Sequence, residues 1–157
     1  MQSGLERLLA DPSALTGLKV GLCCNHTAVT RQLDHALPAL VGAGVQIVRL
    51  FGPEHGIDAT AQDMISFDDE ASDAVSVVSL YGDTEASLHP APSTMADLDV
   101  LLFDIHDVGS RYYTYQATLG FMMEVAAVSN TPVIVLDRPN PITGLNVEGN
   151  IVRPGFE

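Results

Sequence analysis

The residues best suited to chemistry are acids and histidines that stand next to one another at a few points of the chain. Glu54 and His55 are adjacent in the segment "FGPEHG", and Asp104, His106 and Asp107 stand together in the segment "FDIHDVG". A carboxyl group beside an imidazole can donate, accept or relay a proton, and the same groups bind divalent cations. The sequence therefore predicts either acid–base chemistry on a substrate rich in hydroxyl groups or a metal site.

The same residues also have purely structural explanations. Glu54 and His55 lie between Pro53 and Gly56, which are ordinary turn residues. Asp107 has the residue type that caps the first turn of a helix, and a helix is expected after it. At the level of the sequence, both the catalytic and the structural explanations stand.

Two further groups are open to a structural explanation. Arg138, in the segment "DRPNP", can pair with its neighbour Asp137 in a turn fixed by the prolines. Tyr112 and Tyr115 are three residues apart, and aromatic residues at that spacing are typical of a helix that packs into a core.

Five short apolar runs predict the strands that carry these residues, and stretches with helical spacing separate several of them. The predicted strands cover 18–24, 45–51, 76–82, 97–105 and 131–137, and the predicted helices cover 4–10, 33–44 and 114–130. Strands that are apolar on both faces are typical of parallel sheets covered by helices. The sequence predicts one α/β domain with a mostly parallel sheet of about five strands, interrupted by a long loop at 57–74.

Polar side chains stand at the ends of all five predicted strands. Because the carboxyl ends of parallel strands share one edge of the sheet, we expect these side chains to line one crevice. They are Asn25 and His26 after the first strand, Glu54 and His55 after the second, Tyr81 at the end of the third, Asp104, His106, Asp107 and Arg111 at and after the fourth, and Asp137, Arg138 and Asn140 at and after the fifth.

The composition bounds the possible partners. The 157 residues, 46% of them hydrophobic, suffice for one domain with a core. The net charge of -13 and the single lysine, Lys19, argue against nucleic-acid binding, which needs clustered cations. No apolar stretch is long enough to predict a membrane span, and no secretory signal is visible. We expect a cytoplasmic protein, or a secreted or periplasmic one if the N-terminus has been trimmed.

Several common chemistries lack their motifs. The sequence contains no dinucleotide-binding fingerprint, no phosphate-binding P-loop and no nucleophile elbow. We therefore expect no cofactor. The adjacent Cys23 and Cys24 end an apolar run, which predicts two buried thiols rather than a disulfide framework or a metal site.

Four segments together resemble the NamZ/YbbC family of exo-acting β-N-acetylmuramidases. They are "FGPEHGI", "VVSLYGD", "LLFDIHDVGSRYYTY" and "VIVLDRPNPITGLNVEG", and the resemblance extends over essentially the whole chain. It implies a Rossmann-like, three-layer domain at 1–157, followed in family members by a C-terminal domain that this chain does not contain. It also implies release of N-acetylmuramic acid from the non-reducing ends of peptidoglycan fragments, during cell-wall turnover or recycling.

The resemblance further implies roles for individual residues. Glu54 corresponds to the principal catalytic carboxylate, His55 would set its ionisation, and Asp107 would be a second carboxylate or stabilise positive charge at the anomeric carbon. Arg111 and Arg138 would suit the lactyl carboxylate of muramic acid, because a guanidinium pairs with a carboxylate bidentately. The remaining substrate-binding candidates are Asn25, His26, Asp104, Tyr115 and Asn140.

Two alternatives to this function fit the same sequence. One is a carbohydrate-binding module without catalysis. The other is a metal-dependent hydrolase that uses His55, Asp104, His106 and Asp107. The metal alternative is weakened by spacing, because alternate side chains of an extended segment point to opposite faces.

Overall fold

A computed structural model describes residues 2–53, 75–80 and 88–155 of the chain. The strands in these ranges are β1 (Val20–Cys24), β2 (Ile47–Gly52), β3 (Ser76–Ser79), β4 (Val100–Asp104) and β5 (Val133–Val135). The α-helices in these ranges are α1 (Gly4–Ala10), α2 (Ala36–Gly42) and α3 (Tyr115–Ser129). The predicted loop at 57–74 lies outside the described residues.

The five strands form one sheet in the order β3-β2-β1-β4-β5, and every neighbouring pair is parallel. The prediction of a parallel α/β sheet of about five strands is confirmed. The chain winds outward from β1 through β2 to β3, and then returns to the other side of β1 with β4. The strand order therefore reverses between β1 and β4, the place where open α/β sheets bind ligands.

The sheet is the middle of three layers. Every residue of β1 and β4 is buried, because these central strands are covered on both faces. Side chains of one face pack with Leu5 of α1 and with Leu37 and Leu40 of α2. Those of the other face pack with Met122 and Val125 of α3. This arrangement confirms the three-layer prediction and explains why the central strands have no polar face.

Cys23 and Cys24 show the alternation of a strand covered on both sides. Cys24 belongs to the core cluster under α1 and α2, whereas Cys23 belongs to the cluster under α3. Both are free thiols, as predicted. Burial raises the pKa of Cys24 to about 12, and the nearby Asp104 carboxylate acts in the same direction. The thiols are therefore held in the uncharged form as small hydrophobic side chains.

Helix α2 begins three residues later than the helical spacing predicts. Thr30 Oγ1 accepts the backbone N–H groups of Gln32 and Asp34, and Leu33 has a left-handed backbone with φ of 69°. This local turn takes up the N–H groups that a helix would need, so the helix starts only at Ala36. None of the helices in the described ranges is long and apolar enough to cross a membrane.

Candidate active site at the switch point of the sheet

The loops that follow β1 and β4 are joined by a short hydrogen-bond network at the switch point. Asn25 Oδ1 accepts the backbone N–H of Thr27 at 3.0 Å and the Thr27 hydroxyl at 2.6 Å. Thr27 Oγ1 in turn accepts the backbone N–H of His106 at 3.1 Å. The network fixes the two central loops against each other, and so fixes the floor of the crevice.

Thr27 was missed by sequence reasoning, although a signal for it exists. An Asn two residues before a Thr, directly after a strand, is a common way to form a side-chain-capped turn. That pattern predicts the bonds from Asn25 to Thr27, but the bond from Thr27 to His106 spans 79 residues and is visible only in the fold.

His35 lies at this edge as well, although the sequence pattern gives no indication of it. It is half-buried and caps α2, because its Nδ1 accepts the backbone N–H of Leu37 at 3.3 Å. The Nε2 atom lies 3.0 Å from the carbonyl oxygen of Asn25. An acceptor at Nδ1 places the proton on Nε2, so His35 donates to Asn25 and ties α2 to the end of β1.

Asp104 and Arg138 form a buried ion pair beneath the crevice. Arg138 Nε lies 2.6 Å from Asp104 Oδ1, Arg138 Nη2 lies 2.8 Å from Oδ2, and Arg138 Nη1 donates to the carbonyl oxygen of Val29 at 2.9 Å. The side chain of Asp104 is 0% exposed and that of Arg138 is 8% exposed. Arg138 therefore connects the ends of β4 and β5 to the loop after β1, and it does not pair with Asp137 as the turn explanation required.

The ionisation of Asp104 is set by two opposing effects. Burial raises the pKa of this carboxyl above its ordinary value, and the Arg138 guanidinium opposes that rise. Both carboxylate oxygens and the fork-shaped face of the guanidinium are used within the pair. A bidentate contact between Arg138 and a substrate carboxylate would require this ion pair to open.

Asp107 forms a turn rather than a helix cap. Its Oδ1 accepts the backbone N–H of Gly109 at 2.6 Å, and the residue at the N-cap of α3 is Thr114. Gly109 has φ of 76°, and a Cβ atom there would lie 2.4 Å from Asn140 Nδ2. The turn after β4 thus packs directly against the segment after β5, and only glycine satisfies both its backbone and its contact. The second carboxylate oxygen of Asp107, Oδ2, is buried without a hydrogen-bond partner among the described residues.

His106 joins the same two segments from the other side. Its Nε2 lies 3.0 Å from the carbonyl oxygen of Pro139, which can only accept, so the proton is on Nε2. The loops after β1, β4 and β5 are therefore linked pairwise by Thr27, His106 and Arg138. Of the predicted site residues, Asn25, Asp104, Asp107, Arg138 and Asn140 come together here.

The other predicted residues have different positions. His26 is exposed at the start of the loop after β1. Arg111 is exposed, and its Nη2 donates to the carbonyl oxygen of Asn150 at 2.7 Å. Tyr115 belongs to the core under α3, as the aromatic spacing suggested, whereas Tyr112 is 95% exposed. Glu54 and His55 lie outside the described residues, and the chain before them leaves the sheet at Gly52, the end of β2.

Two cavities lined by described residues open beside these loops. A pocket of about 240 Å³ lies between the ends of β4 and β5 and the first turn of α3, and Asp107, Tyr115, Arg138 and Asn140 form much of its polar wall. A second pocket of about 590 Å³ lies between the segments around Arg111 and around 142–150. Gly109 lines the larger pocket and Asn140 the smaller one, so their contact stands between the two.

The metal alternative finds no support in the described residues. Within them, no group of three His, Cys, Asp or Glu side chains is arranged to hold a metal ion. Asp104 uses both oxygens on Arg138, and Asp107 uses Oδ1 on its own turn. Of the other two members of the proposed set, His106 has its Nε2 on the carbonyl oxygen of Pro139, and His55 lies outside the described ranges.

A family model described as the N-terminal part of the exo-β-N-acetylmuramidase NamZ matches residues 20–157. The chain belongs to the NamZ family. A NamZ-family relative, the peptidoglycan β-N-acetylmuramidase NamZ of Bacillus subtilis strain 168, is 40% identical over 99% of this chain and 38% of its own length. The resemblance of the sequence to this family is confirmed.

Two solved structures of DUF1343 family proteins from Bacteroides fragilis have the same fold. One superimposes with a TM-score of 0.82 at 41% identity, over 98% of this chain and 38% of the other. The second superimposes with a TM-score of 0.68 at 28% identity, over 89% of this chain and 35% of the other. The chain thus spans well under half the length of each of these relatives.

Proposed function

We propose that this chain forms the catalytic edge of a glycosidase that removes N-acetylmuramic acid from the non-reducing ends of peptidoglycan fragments, in cell-wall turnover or recycling. Membership of the NamZ family supports the reaction class. The observation that carries the proposal is the gathering of Asn25, His106, Asp107 and Asn140 at the switch point of the sheet. Carboxyl, amide and imidazole groups around one crevice suit a polyhydroxylated substrate.

The proposed acid is Glu54. Hydrolysis of a glycoside normally needs a carboxylic acid that protonates the leaving oxygen and a second group that acts as base or nucleophile. Glu54 follows the end of β2, the neighbour of β1 in the sheet, and stands in the "PEHG" block that the family resemblance rests on. His55, the adjacent imidazole, would influence the proton on Glu54. Asp107 contributes a carboxylate that contacts the substrate.

Recognition of the lactyl carboxylate is assigned to Arg111 rather than to Arg138. The guanidinium of Arg138 is engaged with Asp104 and Val29 below the crevice. Arg111 is exposed beside the larger pocket, and its Nη2 donates to the carbonyl oxygen of Asn150. It can therefore present its other N–H groups to a carboxylate without breaking a buried ion pair.

We also propose that a further, C-terminal domain of the same protein covers this edge of the sheet. The matched segment makes up only 38% of the Bacillus subtilis relative. The crevice at the switch point is open in the described residues, and closure by a second domain would exclude water from the reacting centre.

The proposal is tested with the full-length gene product that carries this chain. Purified glycan fragments that end in N-acetylmuramic acid at the non-reducing end should release that monosaccharide, detected by mass spectrometry. Fragments that end in N-acetylglucosamine serve as the control and should release nothing. Internal cleavage into larger fragments, or binding of the fragments without hydrolysis, would contradict the proposal; the second result would favour the binding-module alternative.

A further inference from the structure

The smaller pocket combines apolar side chains with two carboxylates. Ile105, Leu119 and Val135 line it, together with Asp107 on the turn after β4 and Asp137 after β5. Val135 is 49% exposed and lines this pocket from β5, an edge strand of the sheet. The pocket of about 240 Å³ lies just below the range of about 300–1,000 Å³ that whole small ligands occupy. It is therefore suited to one substituent of a larger molecule.

Asp107 supplies an unused hydrogen-bond acceptor at this pocket. Its Oδ1 accepts the backbone N–H of Gly109, which fixes the orientation of the carboxylate. Its Oδ2 is buried and has no partner among the described residues. A buried carboxylate oxygen without a donor is costly, so the arrangement favours a ligand that brings an N–H or O–H group.

Asn140 offers the complementary donor. Its Oδ1 accepts the backbone N–H groups of Ile142 and Thr143 at 2.9 and 3.4 Å. These bonds hold the side-chain amide in place and leave Nδ2 as the group that can donate to a carbonyl oxygen. The pocket thus presents an acceptor, a donor and an apolar wall, which match the N–H, the carbonyl and the methyl of an acetamido group.

Charge excludes the other distinctive substituent of muramic acid from this pocket. The lactyl carboxylate would lie beside the Asp107 carboxylate, and the nearest guanidinium, on Arg138, is already paired with Asp104. Arg111 lines the neighbouring larger pocket instead. The acetamido and lactyl groups are carried by adjacent ring carbons, and the two pockets are adjacent across the contact between Gly109 and Asn140.

We propose that the pocket between β4, β5 and α3 is the subsite for the N-acetyl group, with Asp107 Oδ2 accepting the acetamido N–H. This assignment rests on the proposed function, since it concerns recognition by the same site. It makes Asp107 a specificity-determining residue, whose carboxylate selects substrates by a donor at the position next to the anomeric carbon.

The test compares two chromogenic β-glycosides with the full-length gene product. One is the glycoside of N-acetylmuramic acid, and the other is its 2-O-acetyl analogue, in which an ester oxygen replaces the N–H and the shape is kept. We expect kcat/KM to be about ten- to hundred-fold higher for the acetamido compound, because a hydrogen bond to a charged group is lost in the ester. In Asp107→Asn, which keeps Oδ1 for Gly109 and replaces Oδ2 by a donor, the preference should fall to about two-fold or less.

A second variant keeps the proposal testable if Asp107→Asn does not fold. Val135→Phe narrows the apolar side of the pocket at a half-exposed position. It should lower kcat/KM for the N-acetyl compound at least about ten-fold. The kcat/KM for an analogue with a free 2-hydroxyl group should stay nearly unchanged. The charge control is Glu124→Gln, which removes an exposed carboxylate on α3 and should behave as the unmodified protein.

The possible outcomes separate this inference from the proposed function. Hydrolysis of both acyl compounds at equal kcat/KM by the unmodified protein would overturn the acetamido subsite and leave the glycosidase intact. An unchanged preference in folded Asp107→Asn, or an equal effect of Val135→Phe on all substrates, would also overturn it. Hydrolysis of no glycoside by a folded protein would overturn the proposed function and this inference with it.

Discussion

Single residues hold the crevice together through contacts that span long stretches of chain. Arg138 binds Asp104 and the carbonyl oxygen of Val29, which stand 34 and 109 residues away from it. A buried ion pair is weak evidence for net stabilisation, but the loss of one partner leaves an unpaired charge in the core. The contribution of Arg138 is therefore best measured by the change in unfolding free energy, and in its dependence on pH, when the guanidinium is removed and Asp104 is left unpaired.

We expect Arg138→Met to lower the free energy of unfolding by about 3–5 kcal/mol at pH 7. Burial already raises the folded pKa of Asp104 above its ordinary value, and loss of the guanidinium raises it further. At a pH between the pKa values of Asp104 in the unfolded and the folded protein, the folded protein holds a proton that the unfolded chain has released. The loss of unfolding free energy is therefore full above the raised folded pKa, and it shrinks as the pH falls below that value.

Urea unfolding of Arg138→Met between pH 4 and pH 8 measures this dependence. Arg49→Met is the matched control, since Arg49 pairs with Asp97 at the surface, and its loss should cost less and vary less with pH. The double variant Asp104→Asn with Arg138→Met should recover part of the stability, because no buried charge remains. A pH-independent loss in Arg138→Met would contradict the assignment of the cost to Asp104.

Gly109 provides a second test at the scale of one residue. Alanine at this position would have to adopt φ of 76° and would bring its Cβ within 2.4 Å of Asn140 Nδ2. We expect Gly109→Ala to destabilise the protein by about 1–3 kcal/mol in thermal or urea unfolding. Gly120→Ala is the control, because Gly120 lies in α3 with open space around it, and alanine should stabilise the helix by about 0.5–1 kcal/mol. Equal effects of the two substitutions would show that the contact with Asn140 does not matter.

At the scale of the elements, much of the sheet could be predicted from the sequence. The unbroken apolar runs of β1 and β4 indicate strands covered on both faces, and such strands indicate a parallel sheet. The start of α2 could not be placed from periodicity, since a turn organised by Thr30 takes precedence over helical spacing. Which polar residues face each other also could not be predicted, because contacts such as Thr27 to His106 depend on the order of strands in the sheet.

Thr27 is the residue through which the loops after β1 and β4 are coupled. Thr27→Val keeps the shape of the side chain and leaves the backbone N–H of His106 without its acceptor. We expect a loss of about 1–3 kcal/mol in unfolding free energy and faster hydrogen exchange at the His106 amide. The control, Thr118→Val, changes an exposed hydroxyl on α3 with a 3.4 Å contact and should have little effect. Unchanged exchange at His106 in Thr27→Val would contradict the coupling.

At the scale of the whole molecule, the sheet order gathers residues from distant parts of the chain at one edge. The reversal between β1 and β4 places the segments at 25–27 and 104–109 beside each other, and β5 adds 136–140. The family match spans this entire arrangement. Under the proposed function, the described edge binds the substrate, and the proposed acid, Glu54, comes after the end of β2 in the sequence.

The most direct test of the proposed glycosidase is the substitution Glu54→Gln in the full-length gene product. Glutamine keeps the size and hydrogen bonding of the side chain and removes the proton that the mechanism transfers. Release of N-acetylmuramic acid should fall by about 10²- to 10⁴-fold in kcat, with the unfolding midpoint unchanged. Glu124→Gln, the same chemical change at an exposed site on α3, should retain full turnover. If Glu54→Gln turns over substrate at the rate of the unmodified protein, Glu54 is not the catalytic acid, and the proposed mechanism is contradicted.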